Sequence, residues 1–240
     1  MYYKVIGDLK GEVYLFLHGW GADSSIFGRV ISVMPKNISY ILIDFWGFGQ
    51  SGEPSAPLSV YDYAKETIEI VNKLNVRIFS IIGHSFGGRI GIILASNYGK
   101  RIDKLVLVDS AGIVPRRNLV YKYKIWKFKK LKKKVEKGVL NKDCLDKYGS
   151  DDYKGLSSVM KRTFVLVVNE DLLYLAKKIE CKTYIIWGKD DTETPLYMAK
   201  RLNKSIKNSL LFVIAGAGHF SFLDKFDDFV YILYTSILYS

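Results

Sequence analysis

Cysteine and histidine are scarce in this chain: among 240 residues there are two cysteines and three histidines. Cys144 and Cys181 have neither the number nor the spacing of a disulfide framework. The three histidines show no metal-ligand spacing. A reduced, cytoplasmic protein with no cofactor and no metal is therefore expected. Long apolar runs are missing as well. The opening stretch Met1 to Asp8 has neither a basic leader nor a long apolar segment. The most apolar tail, Phe229 to Tyr234, is too short to span a bilayer and suits a packed terminal helix, so no transmembrane segment is expected. Internal repeats are absent, and one lysine-rich stretch is the sole low-complexity tract.

Acidic residues are nearly missing from that stretch. Between Arg116 and Lys142 there are 12 Lys or Arg and a single acid, Glu136, a local charge of +11 out of the formal +12 of the whole chain. The remainder is close to neutral, which argues against a general nucleic-acid binder and for one intensely basic segment. With 27.4 kDa and 49% apolar residues, the chain is large enough for one sizeable core and small for two.

What is present in quantity is continuous β-rich sequence. Val13–Leu17, Ser39–Ile43, Arg77–Ile82, Lys104–Val108, Thr183–Trp187 and Leu210–Ile214 are unbroken runs, not alternating ones. Strands buried on both faces read this way, which predicts a parallel sheet covered by helices on each side. Helical patterns fall between them at Tyr61–Leu74, Phe86–Asn97, Pro195–Ser205 and from Asp224 onward. Right-handed crossovers make this a doubly wound α/β fold, mostly parallel, of about seven strands. The interval 113–179 holds no convincing strand and reads as a helical insertion, a lid over the core built from residues 1–112 and 180–240.

Ligands of such sheets sit beyond the carboxyl ends of the strands. Those ends carry His18-Gly19-Trp20-Gly21, Asp44 with its glycine-rich loop, Ser85, Asp109, Gly188-Lys189-Asp190-Asp191 and Gly216-Ala217-Gly218-His219. Ser85 stands at the apex of Gly83-His84-Ser85-Phe86-Gly87, between a strand and a helix. A serine there takes up a strained backbone that lifts its hydroxyl clear of the sheet, a nucleophile elbow. Acyl transfer from Ser85 needs a base, and in this topology the partners follow in the order Ser, Asp or Glu, His. Of the three histidines His219 fits that order. Asp191 is preferred as the carboxylate that holds its tautomer, Asp190 is the neighbouring alternative, and Asp109 is third, with a cap at the start of Ser110-Ala111-Gly112 as its ordinary role.

These pieces together resemble the α/β-hydrolase superfamily over nearly the whole chain: His18-Gly19-Trp20-Gly21, Asp44 to Ser51, Gly83 to Gly87, Gly188 to Pro195 and Gly218-His219. The resemblance implies an oxyanion hole formed by the backbone N–H groups of Trp20 and Phe86. It also implies that one edge strand of the family core is missing here, leaving an exposed edge in a monomer or favouring a homodimer. Within the superfamily the His-Gly-Trp-Gly loop and Gly-His-Ser elbow are most similar to small serine esterases, such as those acting on pimeloyl-carrier methyl esters. Dehalogenases and epoxide hydrolases of the superfamily place aspartate at the apex, so Ser85 points to hydrolysis of carboxylic esters or thioesters. Cofactor-free perhydrolases and carbon–carbon bond hydrolases share the same three residues, and a ligand-binding protein without turnover is the reading from another class.

Gly47-Phe48-Gly49-Gln50-Ser51-Gly52 also matches the dinucleotide fingerprint, but it runs into Glu53-Pro54-Ser55-Ala56-Pro57. That fingerprint needs a helix to begin within the glycines, and the prolines forbid a regular one. In the basic interval, Ile125, Phe128, Leu131, Val135 and Val139 recur at spacings of three and four amid lysines, a basic amphipathic helix. As a lid it would cover the acyl pocket and steer acidic substrates, dock an acidic carrier protein, or meet an anionic surface. No specific nucleic-acid partner is expected.

Overall fold

The structure, a computed structural model, describes residues 1–115, 119–141, 153 and 155–238. Seven strands form one sheet in the order β1-β3-β2-β4-β5-β6-β7. They are β1 (Tyr2–Ile6), β2 (Val13–Leu17), β3 (Ser39–Asp44), β4 (Phe79–His84), β5 (Ile102–Val108), β6 (Lys182–Gly188) and β7 (Ser209–Ile214). Every pairing is parallel except β1 with β3, and β1 forms one edge of the sheet.

The continuous apolar runs are explained by two cores, one on each face. Alternate residues divide between them: Leu15, Leu17, Ile41 and Ile43 face one core, while Tyr14, Phe16, Tyr40 and Leu42 face the other. Helices α1 (Gly28–Val33), α2 (Val60–Lys73) and α3 (Phe86–Asn97) follow the first strands. The interval between β5 and β6 contains α4 (Leu119–Glu136), α5 (Ser158–Asn169) and α6 (Leu173–Ala176). The chain continues with α7 (Tyr197–Ser205), α8 (Ser221–Asp224) and α9 (Phe226–Ile232), then a π-helical turn at Leu233–Leu238. Side chains of α2, α3, α6 and α7 fill the first core, and those of α1, α8 and α9 fill the second. Each fully buried Leu, Ile, Val or Phe is worth about 1.5–3 kcal/mol, so these two layers hold the strand ends in place.

Three details differ from the sequence reading. The central strand runs Phe79–His84, not Arg77–Ile82, because Ile78 is solvent-exposed. The short helix α1 was not expected; among its residues only Val30 is buried, too little to leave a periodic signal. The tail is two short helices and a π-helical turn instead of one helix from Asp224. Arg116, Lys142 and Cys144 lie outside the described residues. Among the described residues no helix is long and apolar enough to cross a membrane.

Candidate active site

Ser85 follows β4 directly and precedes the first residue of α3, with φ 47° and ψ −108°. A positive φ at a serine is strained, and tight surroundings hold it there. A Cβ added to Gly83 would lie 2.7 Å from the Gly87 carbonyl oxygen, and one added to Gly87 would lie 2.0 Å from that of Leu17. Neither clash can be relieved by a side-chain rotation, so the strand–turn–helix closes this tightly only with glycine at both positions. The Ser85 amide donates to the Val108 carbonyl (3.1 Å), and the Ser85 carbonyl accepts from Ala111 (3.0 Å), which fixes the elbow to the end of β5.

Three strand ends converge on the Ser85 hydroxyl. His219, in the loop after β7, has Nε2 2.9 Å from Ser85 Oγ and Nδ1 2.9 Å from Asp191 Oδ2. A carboxylate only accepts, so Nδ1 carries the proton and Nε2 is free to accept from the serine. Asp191, in the loop after β6, is itself saturated. Its Oδ1 accepts from the amides of Glu193 (2.8 Å) and Thr194 (2.9 Å), and its Oδ2 also accepts from the Thr194 hydroxyl (2.7 Å). Burial works to raise Asp191, but the hydrogen bonds from His219 and Thr194 outweigh it and hold the carboxyl below its ordinary range. Burial likewise works against a charged His219. Its hydrogen bond to Asp191 and the nearby charges of Asp191, Glu193 and Asp109 prevail, and its pKa stands above the usual histidine value.

The structure brings Asp191, not Asp190, to His219: Asp190 is exposed, and its amide donates to the Ala217 carbonyl (2.9 Å). Asp109 is neither the partner of His219 nor a helix cap. It is fully buried, with φ 44°. Its Oδ1 accepts from the Gly188 amide (2.7 Å), and its Oδ2 accepts from the Ser221 amide (2.9 Å) and hydroxyl (2.6 Å). This carboxyl ties the ends of β5 and β6 to the segment just after His219. Burial pushes it up to about 7 against the pull of those hydrogen bonds.

Trp20 and Phe86 lie together beside the serine. A Cβ added to Gly19 would stand 3.4 Å from Ser85 Cβ, so the turn that carries Trp20 abuts the elbow. The Gly87 amide donates to the His18 carbonyl (2.9 Å), and the Trp20 and Phe86 rings meet edge to face at 5.5 Å. Phe86 opens α3, where first-turn amides have no partner inside the helix. Trp20 also packs on Phe48 (4.9 Å) and on Phe164 of α5 (5.2 Å), giving the approach to Ser85 an aromatic wall.

Sequence reasoning missed several supporting groups. The buried ring of His18 bridges two loops: its Nδ1 lies 2.7 Å from the Gly19 carbonyl, and its Nε2 accepts from the Phe45 amide (3.0 Å). Burial keeps this ring neutral by lowering its pKa. His84, also buried, has Nε2 2.8 Å from the His219 carbonyl. Burial, with His219 nearby, pushes its pKa down to about 3. Glu193 is exposed, with Oε2 3.4 Å from His219 Nε2. Its position two residues past Asp191 was the one available signal. Among the described residues, no group of three His, Cys, Asp or Glu side chains is placed to hold a metal ion.

Known proteins share this architecture. The esterase EaEST of Exiguobacterium antarcticum superposes with a TM-score of 0.75 at 25% identity, covering 97% of this chain and 93% of that one. The uncharacterized hydrolase YugF of Bacillus subtilis is 25% identical over 242 residues, 91% of this chain and 87% of its own. A human serine hydrolase-like protein is 37% identical over 109 residues, but that match spans 45% of this chain and 54% of the human protein. The chain thus covers about half or less of the length of the serine hydrolase-like relatives it matches. The sequence profile of the alpha/beta hydrolase fold family matches residues 13–124 and 125–226. With a serine elbow at the end of the central strand and a profile match over most of its length, the chain belongs to the α/β-hydrolase family.

Proposed function

We propose that this protein hydrolyses carboxylic esters or thioesters of small to medium acyl groups through an acyl-enzyme on Ser85. The observation that carries the reading is the unbroken line Ser85 Oγ, His219 Nε2, His219 Nδ1, Asp191 Oδ2, with 2.9 Å at each hydrogen bond. In the first step His219 takes the Ser85 proton as Oγ attacks the carbonyl carbon. Charge develops on the carbonyl oxygen, and the amides of Trp20 and Phe86 stabilise it; one such donor is worth about 3–4 kcal/mol of barrier. The same proton passes from His219 to the departing alkoxide or thiolate, leaving the acyl group on Ser85. Water enters, gives its proton to His219 and attacks the acyl carbon, and the acid leaves as Oγ is reprotonated.

Asp191 keeps Nδ1 protonated and stabilises the imidazolium that forms in each half of the cycle. Its saturated hydrogen bonding supports that role, because a carboxylate held below its ordinary range stays charged throughout. The aromatic wall of Trp20, Phe48, Phe86 and Phe164 supports an apolar acyl group.

The experiment is turnover of p-nitrophenyl esters of increasing acyl length by the wild type and by Ser85→Ala. The expected result is a burst of nitrophenolate with the wild type, a preferred chain length, and loss of turnover in the variant. Turnover that survives Ser85→Ala would overturn the assignment. A labelling experiment with a fluorophosphonate, read by mass on the Ser85 peptide, separates a slow enzyme from a binding protein that lacks an activated serine.

A further inference from the structure

Helix α4 presents an outer face that the ester-hydrolysis reading does not use. Tyr123, Trp126, Lys130, Lys133 and Lys134 recur at helical spacings on one side of it, and Lys137 follows its last residue. Tyr123 and Trp126 are 61% and 56% exposed, an unusual position for two large aromatic rings. They stack on each other at 5.9 Å and 27°, and Lys130 Nζ stands 5.1 Å above the Trp126 ring. On the opposite side Phe128, Leu131 and Val135 are half-buried, so the outer face can be engaged without unpacking the helix. From Lys122 to Lys137 the sequence has nine lysines and one acid, Glu136.

We infer that this face docks the protein on an anionic membrane surface. The charge selects a negatively charged partner. The paired rings select among such partners, because an apolar ring body with a polar tip matches the boundary between headgroups and acyl chains. Lysines around that boundary reach phosphates and serine carboxylates on flexible stems while their methylenes cover apolar surface. Nucleic acid would call for a basic groove or a groove-reading element, and a single lysine-rich helix face offers neither. An acidic protein surface would match the charge, and it is the competitor that the polyaspartate arm of the test separates.

The test is flotation of the full chain with vesicles of phosphatidylcholine alone or of phosphatidylcholine with phosphatidylserine. Binding to the anionic vesicles, absent with neutral ones and lost at high salt, is the expected result. Neutralising lysines costs about fivefold in partitioning for each one, so Lys130→Gln/Lys133→Gln/Lys134→Gln falls about a hundredfold. Trp126→Ala falls several-fold and leaves the salt dependence unchanged. Circular dichroism and turnover of a short neutral ester serve as folding controls, since none of these side chains touches Ser85. Equal partitioning to neutral and anionic vesicles would overturn the inference. So would wild-type partitioning by both variants, or binding to duplex DNA or polyaspartate that exceeds vesicle binding and is indifferent to Trp126→Ala.

Discussion

The strand-end edge around Ser85 and the outer face of α4 are opposite solutions to the problem of placing charge. At the edge, three carboxyl and imidazole groups occupy fixed positions, each with two or more hydrogen-bond partners, and burial together with those partners moves their pKa values. On α4, Lys127, Lys129, Lys130, Lys133 and Lys134 are exposed, and charges placed this way act as a sum over flexible side chains. A site that moves protons, the role proposed for this edge, needs sub-ångström placement, which makes its residues individually irreplaceable. A face that meets a surface needs only density, so its residues are replaceable one at a time.

That contrast breaks most severely at the elbow glycines. Gly87→Ala puts a methyl group 2.0 Å from the Leu17 carbonyl oxygen. The expected outcome is little or no folded protein, a loss of about 4 kcal/mol or more, read by thermal melting of the expressed fraction. Next come the groups proposed to carry the reaction. Ser85→Ala is expected to lower kcat for esters by about 10^4- to 10^6-fold and Asp191→Asn by about 10^4-fold, with melting temperatures within a few degrees of the wild type. An Asp191→Asn variant with near-normal kcat would show that another carboxylate serves His219.

A third prediction concerns pH and stability. His84 is held neutral in the fold with a pKa near 3, whereas the unfolded chain has the ordinary value of 6.5. Between those values the unfolded state binds more protons, so this residue's contribution to stability is present above about 6.5 and is lost as pH falls toward 3. Asp109 acts in the opposite sense. Its folded pKa of about 7 exceeds its unfolded 3.8, so its contribution is lost as pH rises from 3.8 through 7. Denaturant midpoints across pH 4–8 for the wild type and His84→Phe isolate the first slope. The variant should show a shallower acid-side decline, because His18 and Asp191, also held below their ordinary values, still contribute to it; an unchanged slope would remove His84 from the account.

Smaller still is the effect of Glu193. Its carboxylate favours the protonated form of His219, the form that cannot accept from Ser85. Glu193→Gln should therefore move the acid limb of kcat/KM to lower pH, by less than about one unit, because the Glu193 carboxylate is solvent-exposed although the His219 ring is buried. The smallest effect is expected from the α4 lysines. The triple glutamine variant should turn over a neutral short ester within about twofold of the wild type, as surface substitutions commonly do. If it instead lost activity on that ester by tenfold, the two regions would not be separable.

The placement of Ser85, Asp191 and His219 was legible because each follows a continuous apolar run, and parallel strands deliver their ends to one edge. The bounds of α3, Phe86–Asn97, were legible for a similar local reason: the glycine turn starts the helix and the apolar positions continue it. What could not be read were partnerships across long sequence separations. The His84 bond to the His219 carbonyl spans 135 residues, and the ties from Asp109 to Ser221 span 112. A buried aspartate that bridges loops and one that caps a turn look alike in sequence, since both sit beside small residues at a strand end. The seat of α5 on the core is another such long-range partnership: Phe164 packs on Trp20, and the Leu58 amide donates to the Thr163 hydroxyl at 3.1 Å.

The separation of Ser85, Asp191 and His219 along the chain also sets a clock. Ser85 comes from the fourth strand and His219 lies 134 residues later, beyond the seventh, so no fragment lacking β6 or β7 holds the complete set. Local helices form early in refolding, but parallel strands close only after long loops have been brought together. On the proposed reading, the appearance of ester turnover timestamps the last long-range step, and comparing it with the recovery of helical signal would measure how far assembly of the sheet lags behind that of its helices.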